Sequence, residues 1–576
     1  MGEKLEEMSK EDLIKQIKSL KKQKKFGLVF EDNKPEKVIE DCQSKLPVLE
    51  EVEDRKVMVG NDYPTNLIIE GDNFHSLSVL NYTHFGKIDV IYIDPPYNTG
   101  ARDWRYNNDY VDGADAFRHS KWLSFMKSRL ILAKNLLKED GIICVTIDDY
   151  EAPHLWLLME EIFGYENHLG TVVIRNNPKG RMTERKISLI HEYGLFFGKS
   201  SQSEIKKLET KPTEKTHNYK QDEDGSWFLP VNLRKQGVDS SAYNRKGELS
   251  KRYYPIYVDP NSGKISVTEK LPVEIMPIDS RGEKRIWRRG KEVIEEMYER
   301  GDLWVKRTPR NGLQLYFKFR GGLDGKRPQS IWVDPEFSAS DYGTKILDSI
   351  LNEREKFNFP KAPEAVKRSI LSMSNNKNAI VLDFFAGSGT TGQAVLELNK
   401  QDGGNRQFIL CTNNENKIAE EVTYPRVKNV IKGYNNGKKE IKGLPGNLRY
   451  FKTEFVDKRD TTDDTREALV KRCTDMIRIR ENTYEGVIDE PKYKFYKNSQ
   501  SFTAIIFDQF EIESIWKEVE EMDKEKLPVH LYVFSYNRHA NEEEIPETDL
   551  EWTACPIPES VLEVYKKIFK VKKEDA

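Results

Sequence analysis

Cysteine is scarce in this chain: there are 5 in 576 residues, at positions 42, 144, 411, 473 and 555. None stands in a C-x-x-C pair, so neither structural zinc nor a disulfide framework is expected, and a reducing compartment fits. Long apolar runs are missing too. No stretch approaches the roughly 20 residues that a membrane-spanning helix needs, so no membrane partner is expected. The opening residues Met1-Gly2-Glu3-Lys4 lead into a charged helical pattern without the apolar core of a secretory signal, which points to a cytoplasmic protein. An excess of one charge is also lacking: Lys plus Arg total 92 against 95 Asp plus Glu, a formal charge of -3. Any surface for a polyanion must therefore be local.

The chain does contain a short rigid stretch, Asp94-Pro95-Pro96-Tyr97, followed by Asn98-Thr99-Gly100. It comes directly after Ile88-Asp89-Val90-Ile91-Tyr92-Ile93, a β-branched run that reads as a buried strand. Two prolines cannot continue a ladder, so the strand ends there and presents a carboxylate, a turn and an aromatic ring at its carboxyl edge. Open α/β sheets bind ligands at that edge. The arrangement suits an exocyclic amine on a flat ring. Such a nitrogen is a poor nucleophile because its lone pair is conjugated into the ring. Acceptors aimed at its hydrogens hold the lone pair out of plane and favour the positive charge that grows during attack. Asp94 supplies one acceptor in this reading and the Pro95 carbonyl the other, while Tyr97 stacks on the ring. A plain strand-ending turn capped by Asp94 accounts for the same letters.

Up to about residue 58 the chain reads as helical, with Leu5, Met8, Leu13, Ile17 and Leu20 as a loose amphipathic stripe. Strands are expected at 67–69, 141–147, 171–174 and 193–197, and helices over 115–138 and 151–163. This alternation implies an α/β fold with a mostly parallel sheet. The turn Glu70-Gly71-Asp72-Asn73 suits either a ribose or adenine contact by Asp72 or a helix cap. From about 199 to 330 the pattern breaks. Basic and aromatic residues interleave there, including Arg285, Trp287, Arg288, Arg289, Trp304, Lys306, Arg307 and Arg310. That composition fits a surface that tracks phosphates and reads base edges, and it equally describes a solvated charged insertion. Helices are expected again over 346–357 and 365–373. Beyond about 441, strands at 502–507 and 531–534 and helices over 511–522 and 560–569 suggest a small α/β unit without a catalytic cluster.

A second motif lies far down the chain. Ala379-Ile380-Val381-Leu382 reads as a strand, followed by Asp383-Phe384-Phe385-Ala386-Gly387-Ser388-Gly389-Thr390-Thr391 and a helix through Leu398. Gly387 and Gly389 let the backbone turn tightly and approach a ligand. The next strand, Phe408 to Thr412, ends at Asn413-Asn414-Glu415-Asn416, where an acidic side chain typically takes ribose hydroxyls. The lysine of a phosphate-binding loop is absent, so a nucleoside-containing ligand is favoured over a bare nucleotide triphosphate. Gly387, Gly389 and Gly392 fit G-x-G-x-x-G, which leaves a dinucleotide open at this point, as it does a turn without a ligand.

Together, Asp94-Pro95-Pro96-Tyr97 and Asp383 through Thr390 resemble the catalytic and cofactor motifs of S-adenosylmethionine-dependent DNA amino-methyltransferases. The pairing decides against a dinucleotide. Catalytic motif first, cofactor motif last and an insertion between them resemble the permuted β class. The long spacing and the flanking units resemble the modification (Mod) subunits of Type III restriction–modification systems. The resemblance implies an α/β, Rossmann-like, permuted methyltransferase sheet with an inserted target-recognition domain and a small C-terminal α/β domain. The expected division is a helical segment at 1–58, core halves at 59–199 and 336–440, the recognition insertion at 200–335 and an accessory domain at 441–576. The implied reaction is methyl transfer from S-adenosylmethionine to N6 of a flipped-out adenine in double-stranded DNA. Adenine is favoured over cytosine because D-P-P-Y resembles the N6-adenine members.

By the same resemblance, Asp94, Pro95, Pro96 and Tyr97 are catalytic. Asp72, Asp383, Phe384, Phe385, Ala386, Gly387, Ser388, Gly389, Thr390 and Thr391 bind the cofactor, with Asn413 or Glu415 at the ribose and Asp383 at the methionine amino group. Arg285, Arg288, Arg289, Lys306 and Arg307 are the expected DNA contacts. Phe196 or Phe197 either closes the base pocket or is plain core. A second copy of the chain and a separate restriction (Res) subunit are implied partners, and no metal is expected.

Overall fold

The apolar run before the two prolines forms a strand in the middle of a ten-stranded sheet. The computed structural model describes residues 36–570, apart from 61, 100, 107–108, 113–116, 181–186, 209–218, 223, 238, 245, 309–311, 321–324, 438, 460–461, 523–525, 536–538 and 541. The amphipathic stripe expected near the N-terminus, Gly100 and Arg310 therefore lie outside the described residues. In chain order the sheet is built from β1 (Lys45–Glu51), β2 (Thr65–Glu70), β3 (Ile88–Ile93), β4 (Leu137–Ile147), β5 (His168–Ile174), β6 (Glu192–Gly198), β7 (Ile331–Trp332), β8 (Ile380–Asp383), β9 (Gln407–Thr412) and β10 (Asn447–Asp457). Their spatial order is β1-β10-β2-β9-β8-β3-β4-β6-β5-β7. The six strands from β10 to β4 are parallel, and β1 and β6 run against them.

A strand buried on both faces needs consecutive apolar residues, and β3 supplies them from Val90 to Ile93. Ile91 and Ile93 face one core cluster, with Leu130 and Leu136 of the helix Arg118–Leu136. Val90 and Tyr92 face the other, with Val366 and Ile370 of the helix Pro363–Met373. Each fully buried aliphatic side chain here contributes about 1.5–3 kcal/mol. Asp89 sits at the amino end of β3, and its Oδ2 accepts the Ile380 N–H at 2.9 Å. That bond pins β8 against β3, and Lys138 Nζ, 2.8 Å from Asp89 Oδ1, ties β4 to the same residue.

Three expectations are corrected. Residues 45–51 are an edge strand, not helix, because Leu46, Val48 and Leu49 are buried against β10. Residues 447–457, expected in an accessory domain, complete the main sheet between β1 and β2, with Leu448, Tyr450 and Phe451 buried. The helix expected over 346–357 ends at Leu351, where Asn352 takes φ 56°, a left-handed conformation Asn tolerates. Beyond β10, five strands (Glu485–Asp489, Tyr493–Lys497, Phe502–Ile506, Val529–Phe534 and Trp552–Ile557) form a separate sheet in sequence order. The helix Glu559–Lys570 that follows packs against the helix Asn73–Thr83, and its Tyr565 hydroxyl donates to the Pro47 carbonyl.

Residues 207–328 separate as a compact unit of their own. It holds a four-stranded antiparallel sheet (Lys220–Gln221, Trp227–Asn232, Leu303–Thr308, Gly312–Phe319), a three-stranded one and the helix Lys291–Glu299, around Leu233, Ile256, Trp287, Ile294 and Leu315. Among the described residues no helix is long and apolar enough to cross a membrane.

Candidate active site

The two motifs, almost 290 residues apart in the chain, emerge from adjacent strands (383 minus 94 is 289). Val381 pairs with Val90 and Leu382 with Ile91, in parallel, so Asp383 and Asp94 leave the same edge of the sheet. This is also where the connections diverge: β8 runs on through the helix Thr390–Asp402 to β9 on one side, while β3 lies on the other. Such a switch point opens a crevice at the carboxyl ends of the strands.

The catalytic turn is held by side chains from elsewhere. Asp94 Oδ1 accepts the Thr146 hydroxyl at 2.7 Å and lies 2.8 Å from the Tyr97 hydroxyl and 3.0 Å from Lys361 Nζ. The Tyr97 hydroxyl is also 3.0 Å from Glu192 Oε2, so its single proton serves one of two carboxylates. Lys361 contacts Glu192 Oε2 and the Tyr97 hydroxyl as well, and Asn176 donates to Glu192 Oε2 at 2.6 Å. Burial works to lower the Lys361 ammonium, but Asp94 and Glu192 outweigh it and hold its pKa above the ordinary value. Burial, then Asp94 and Glu192, push the Tyr97 phenol well up, so it stays protonated. The Trp122 indole N–H donates to the Pro96 carbonyl at 2.7 Å. No donor among the described residues lies on the Pro95 carbonyl.

Just past the turn, Asn98 takes φ 55° and is fully buried, its amide on Glu151 Oε1. Glu151 is buried too and also meets His119 Nδ1 at 2.6 Å and His154 Nδ1 at 2.9 Å. These three ligand-type side chains have metal-like spacing. Arg118 Nε, however, donates to His119 Nε2 at 3.2 Å, which leaves the imidazole proton on Nδ1 and facing Glu151. Glu151 therefore reads as a brace for the turn, its Oε1 hydrogen-bonded to Asn98 and His119, with His154 beside Oε2.

The glycine turn combines bonds of its own with braces from outside. Asp383 Oδ1 accepts the Phe385 N–H at 3.0 Å and Oδ2 the Thr391 hydroxyl at 2.5 Å. Burial, with a smaller push from Asp94, raises the Asp383 carboxyl to about 7. Gly387 (φ 48°) and Gly389 (φ 77°) adopt left-handed conformations. A Cβ on Gly387 would meet the Phe357 ring at 3.4 Å, so the backbone forms a cradle that a side chain would fill. Ala386 and Phe384 are buried beneath the turn, and Phe385 is half-buried, its ring 5.8 Å from that of Phe125. Outside groups lock the turn as well: Arg426, fully buried, donates to Ser388 Oγ at 2.9 Å, Thr390 Oγ1 at 2.7 Å and Gln393 Oε1 at 3.0 Å, the Thr423 hydroxyl donates to the Gly387 carbonyl at 2.5 Å, and the Ala386 N–H donates to the Cys411 carbonyl at 3.1 Å. Burial lowers its guanidinium to about 9.

The remaining expected site residues divide into those at this edge and those elsewhere. Asp72 caps the helix Asn73–Thr83 through the Phe74 N–H at 2.7 Å and lies 3.3 Å from Arg129 Nη2. Asn73 Nδ2 donates to the Phe384 carbonyl at 3.2 Å, which ties this turn to the glycine turn. Asn413 is exposed and Glu415 half-buried, both just past β9. Phe196 and Phe197 are core: they pair with Cys144 and Ile143, inside the sheet rather than at its edge. At the edge end of β6 stand Glu192 and Tyr193, paired with Ile174 and Ile147.

In the 207–328 unit, Arg285 is committed to Asp279 at 2.8 Å, and Arg288 Nε donates to the Asn232 carbonyl at 3.0 Å. Arg289, Lys306 and Arg307 are exposed. Sequence reasoning missed Lys361, Glu192, Thr146, Trp122, Glu151 and Arg426. A signal existed for Lys361, a lone charge between Pro360 and Pro363 just before an apolar helix, and for Glu192, an acid opening an apolar strand.

Comparison with known proteins agrees with this geometry. The family described as DNA methylase matches residues 88–422. The chain is 34% identical over 402 residues to the Type II methyltransferase M.KpnI of Klebsiella pneumoniae, covering 69% of this chain and 90% of that protein. It is 32% identical over 418 residues to the Type III restriction-modification enzyme EcoPI Mod subunit of Escherichia phage P1, covering 65% of this chain and 63% of that one. To the StyLTI Mod subunit of Salmonella typhimurium it is 29% identical over 422 residues, covering 66% and 57%. The chain thus spans nine-tenths of the Type II relative but about three-fifths of these Type III relatives.

Proposed function

This chain belongs to the N6/N4 DNA methylase family, and from that premise we propose that it methylates N6 of adenine in double-stranded DNA at the expense of S-adenosylmethionine. The observation that carries the reading is the shared edge of β3 and β8, which sets an amine-accepting turn beside a glycine turn. S-adenosylmethionine, when bound, supplies an electrophilic sulfonium methyl. The residues present fit it. The Gly387–Gly389 turn gives close backbone approach, Phe385 a half-buried ring, and Asp72, Asn413 and Glu415 polar groups at the neighbouring strand ends.

A base inside a duplex is out of reach of this edge, so the target adenine must leave the stack to lie against Tyr97. Asp94 and the Pro95 carbonyl take its two amine hydrogens and turn the lone pair outward. The bound donor would supply the methyl and leave as the neutral thioether, while Asp94 and the Pro95 carbonyl would hold the amine, whose surplus proton would pass to solvent. Tyr97, anchored through its hydroxyl, offers its ring to the base. Positioning supplies most of the rate. Asp383, with both oxygens used inside the turn, shapes the loop; its proposed contact to the methionine amino group requires one of them to turn outward.

Similarity to the EcoPI and StyLTI Mod subunits supports a role as the modification subunit of a Type III system. Its partners in that reading are DNA, a second copy and a separate restriction subunit, in the cytoplasm. The exposed Arg289, Lys306 and Arg307 are the proposed phosphate contacts in the 207–328 unit. Coverage of nine-tenths of M.KpnI supports a second reading, a methyltransferase that works without a nuclease subunit.

Incubation with tritiated S-adenosylmethionine and unmethylated plasmid, then nucleoside analysis, tests the proposal. The expected product is N6-methyladenine, and Asp94→Ala is expected to incorporate no label while still binding cofactor. Label at the wild-type rate in Asp94→Ala would remove the catalytic assignment, and N4-methylcytosine would change the substrate.

A further inference from the structure

Lys361 belongs to neither motif, yet it touches both. Its carbonyl lies 3.5 Å from Thr390 Oγ1 in the glycine turn, and its ammonium lies 3.0 Å from Asp94 Oδ1 in the catalytic turn. We propose that Lys361 and Glu192 are positioning residues: with Thr146 and Tyr97, Lys361 engages Asp94 Oδ1, so that Oδ2 is the oxygen offered to the target amine. Glu192 balances the ammonium, so the cluster keeps one net negative charge. The inference rests on the amine-methylation reading above.

Thr146, Tyr97 and Lys361 all converge on one oxygen of Asp94, and among the described residues none donates to the other. A carboxylate oxygen with three such neighbours is saturated, and the rotamer is fixed by them. The charge count follows from the same contacts: the carboxylates of Asp94 and Glu192 against the one ammonium of Lys361. Attack by a neutral amine leaves positive charge on its nitrogen. A pocket with one surplus negative charge stabilises that charge, whereas a neutral Asp94–Lys361 pair alone does not. With the ammonium gone, two carboxylates share one Tyr97 hydroxyl, and one of them takes up a proton. A protonated Asp94 is a poorer acceptor.

The groups that face Asp94 are Tyr92 from β3, Tyr97 from its own turn, and Cys144 and Thr146 from β4. Glu192 from β6, Lys361 ahead of the helix Pro363–Met373, and Asp383 from β8 complete the set. Asp383 titrates in wild type and variants alike, so the difference between their pH profiles isolates the Lys361 and Glu192 contribution.

The test uses the full chain with plasmid and tritiated S-adenosylmethionine, both saturating, over about pH 6 to 9. Thermal unfolding and S-adenosylmethionine binding are measured alongside. Lys361→Met is expected to lower kcat roughly ten- to hundred-fold near neutrality, with KM for the cofactor nearly unchanged, and to move the acidic limb of the profile up by about one pH unit. Glu192→Gln is expected to lower kcat about ten-fold with no upward shift of that limb. The double variant restores the single surplus negative charge, so its acidic limb returns to the wild-type position. Should Lys361→Met fail to fold, Glu192→Gln and the double variant still decide. A double variant with the same displaced limb as Lys361→Met, or single variants at wild-type rates, would overturn the inference. If Asp94→Ala is inactive in the same assay, only the inference falls; if Asp94→Ala is active, the methylation reading falls with it.

Discussion

The two turns at the site differ in how much of their scaffold is local. The glycine turn 383–391 joins bonds within itself, from Asp383 to Phe385 and Thr391 and from Ser388 to Thr390, to backbone and side-chain braces from Asn73, Cys411, Thr423 and Arg426. The catalytic turn 94–98 makes nearly all of its supporting bonds to distant segments: Trp122, Thr146, Glu151, Glu192 and Lys361. A turn that must cradle a ligand can carry part of its scaffold itself and take the rest from its neighbours. A turn that must fix a carboxylate and a ring with both groups still reachable has no bonds to spare for itself, so its neighbours brace it.

Removing the buried arginine that braces the glycine turn is expected to have the largest effect. Arg426→Ala removes a buried fork that satisfies Ser388, Thr390 and Gln393, and should cost about 3 kcal/mol. A drop in unfolding midpoint with loss of cofactor binding is the expected result. An unchanged midpoint would show that the turn does not depend on Arg426.

Gly389→Ala tests the turn from inside. At φ 77° an alanine is strained, and its Cβ would lie 3.3 Å from Thr423 Cγ2, so a loss of about 2 kcal/mol is expected, with weaker cofactor binding by calorimetry. Trp122→Phe is the matching test on the other turn. It removes the N–H on the Pro96 carbonyl, and should lower kcat about ten-fold while cofactor affinity stays near wild type. Equal losses in kcat and cofactor affinity would erase the proposed division between the turns.

The smallest expected effect is in pH. The Asp383 carboxyl is raised to about 7, mainly by burial, above the roughly 3.9 of an unfolded chain. The folded form therefore holds a proton that the unfolded form has released. The associated stability is fully present below about pH 4 and is lost as pH rises through 7. Asp383→Asn should flatten the pH dependence of the unfolding midpoint over that window, as read by scanning calorimetry across buffers. An unaltered slope would place the proton elsewhere.

How legible each turn is follows from the same contrast. The order Asp383, Gly387, Gly389, Thr391 is local, so spacing alone exposes the turn and the helix after it. For the other turn, the prolines expose the end of β3 and the placement of Asp94 and Tyr97. The sequence did not reveal that Lys361 reaches Asp94 across 267 positions (361 minus 94). Arg285 was misleading in the opposite sense: it sits in a basic run, yet Asp279 six residues earlier already holds it. Residues 45–51 and 447–457 carry short apolar patterns that match a helix edge or a separate unit equally well, and only the pairing of 447–457 with β2, and of 45–51 with 447–457, made them strands of the main sheet.

The sequence by itself determined the elements and their chemistry: where strands stop, which turns need glycine, and which residues can accept an amine's hydrogens. These depend on backbone sterics and on side chains within a few positions. Tertiary structure alone decided that β8 lies beside β3, that three donors fall on one oxygen of Asp94, and that Glu192 offsets Lys361. Such contacts follow from strand order and burial, and in the low-dielectric interior they set both protonation and rotamer.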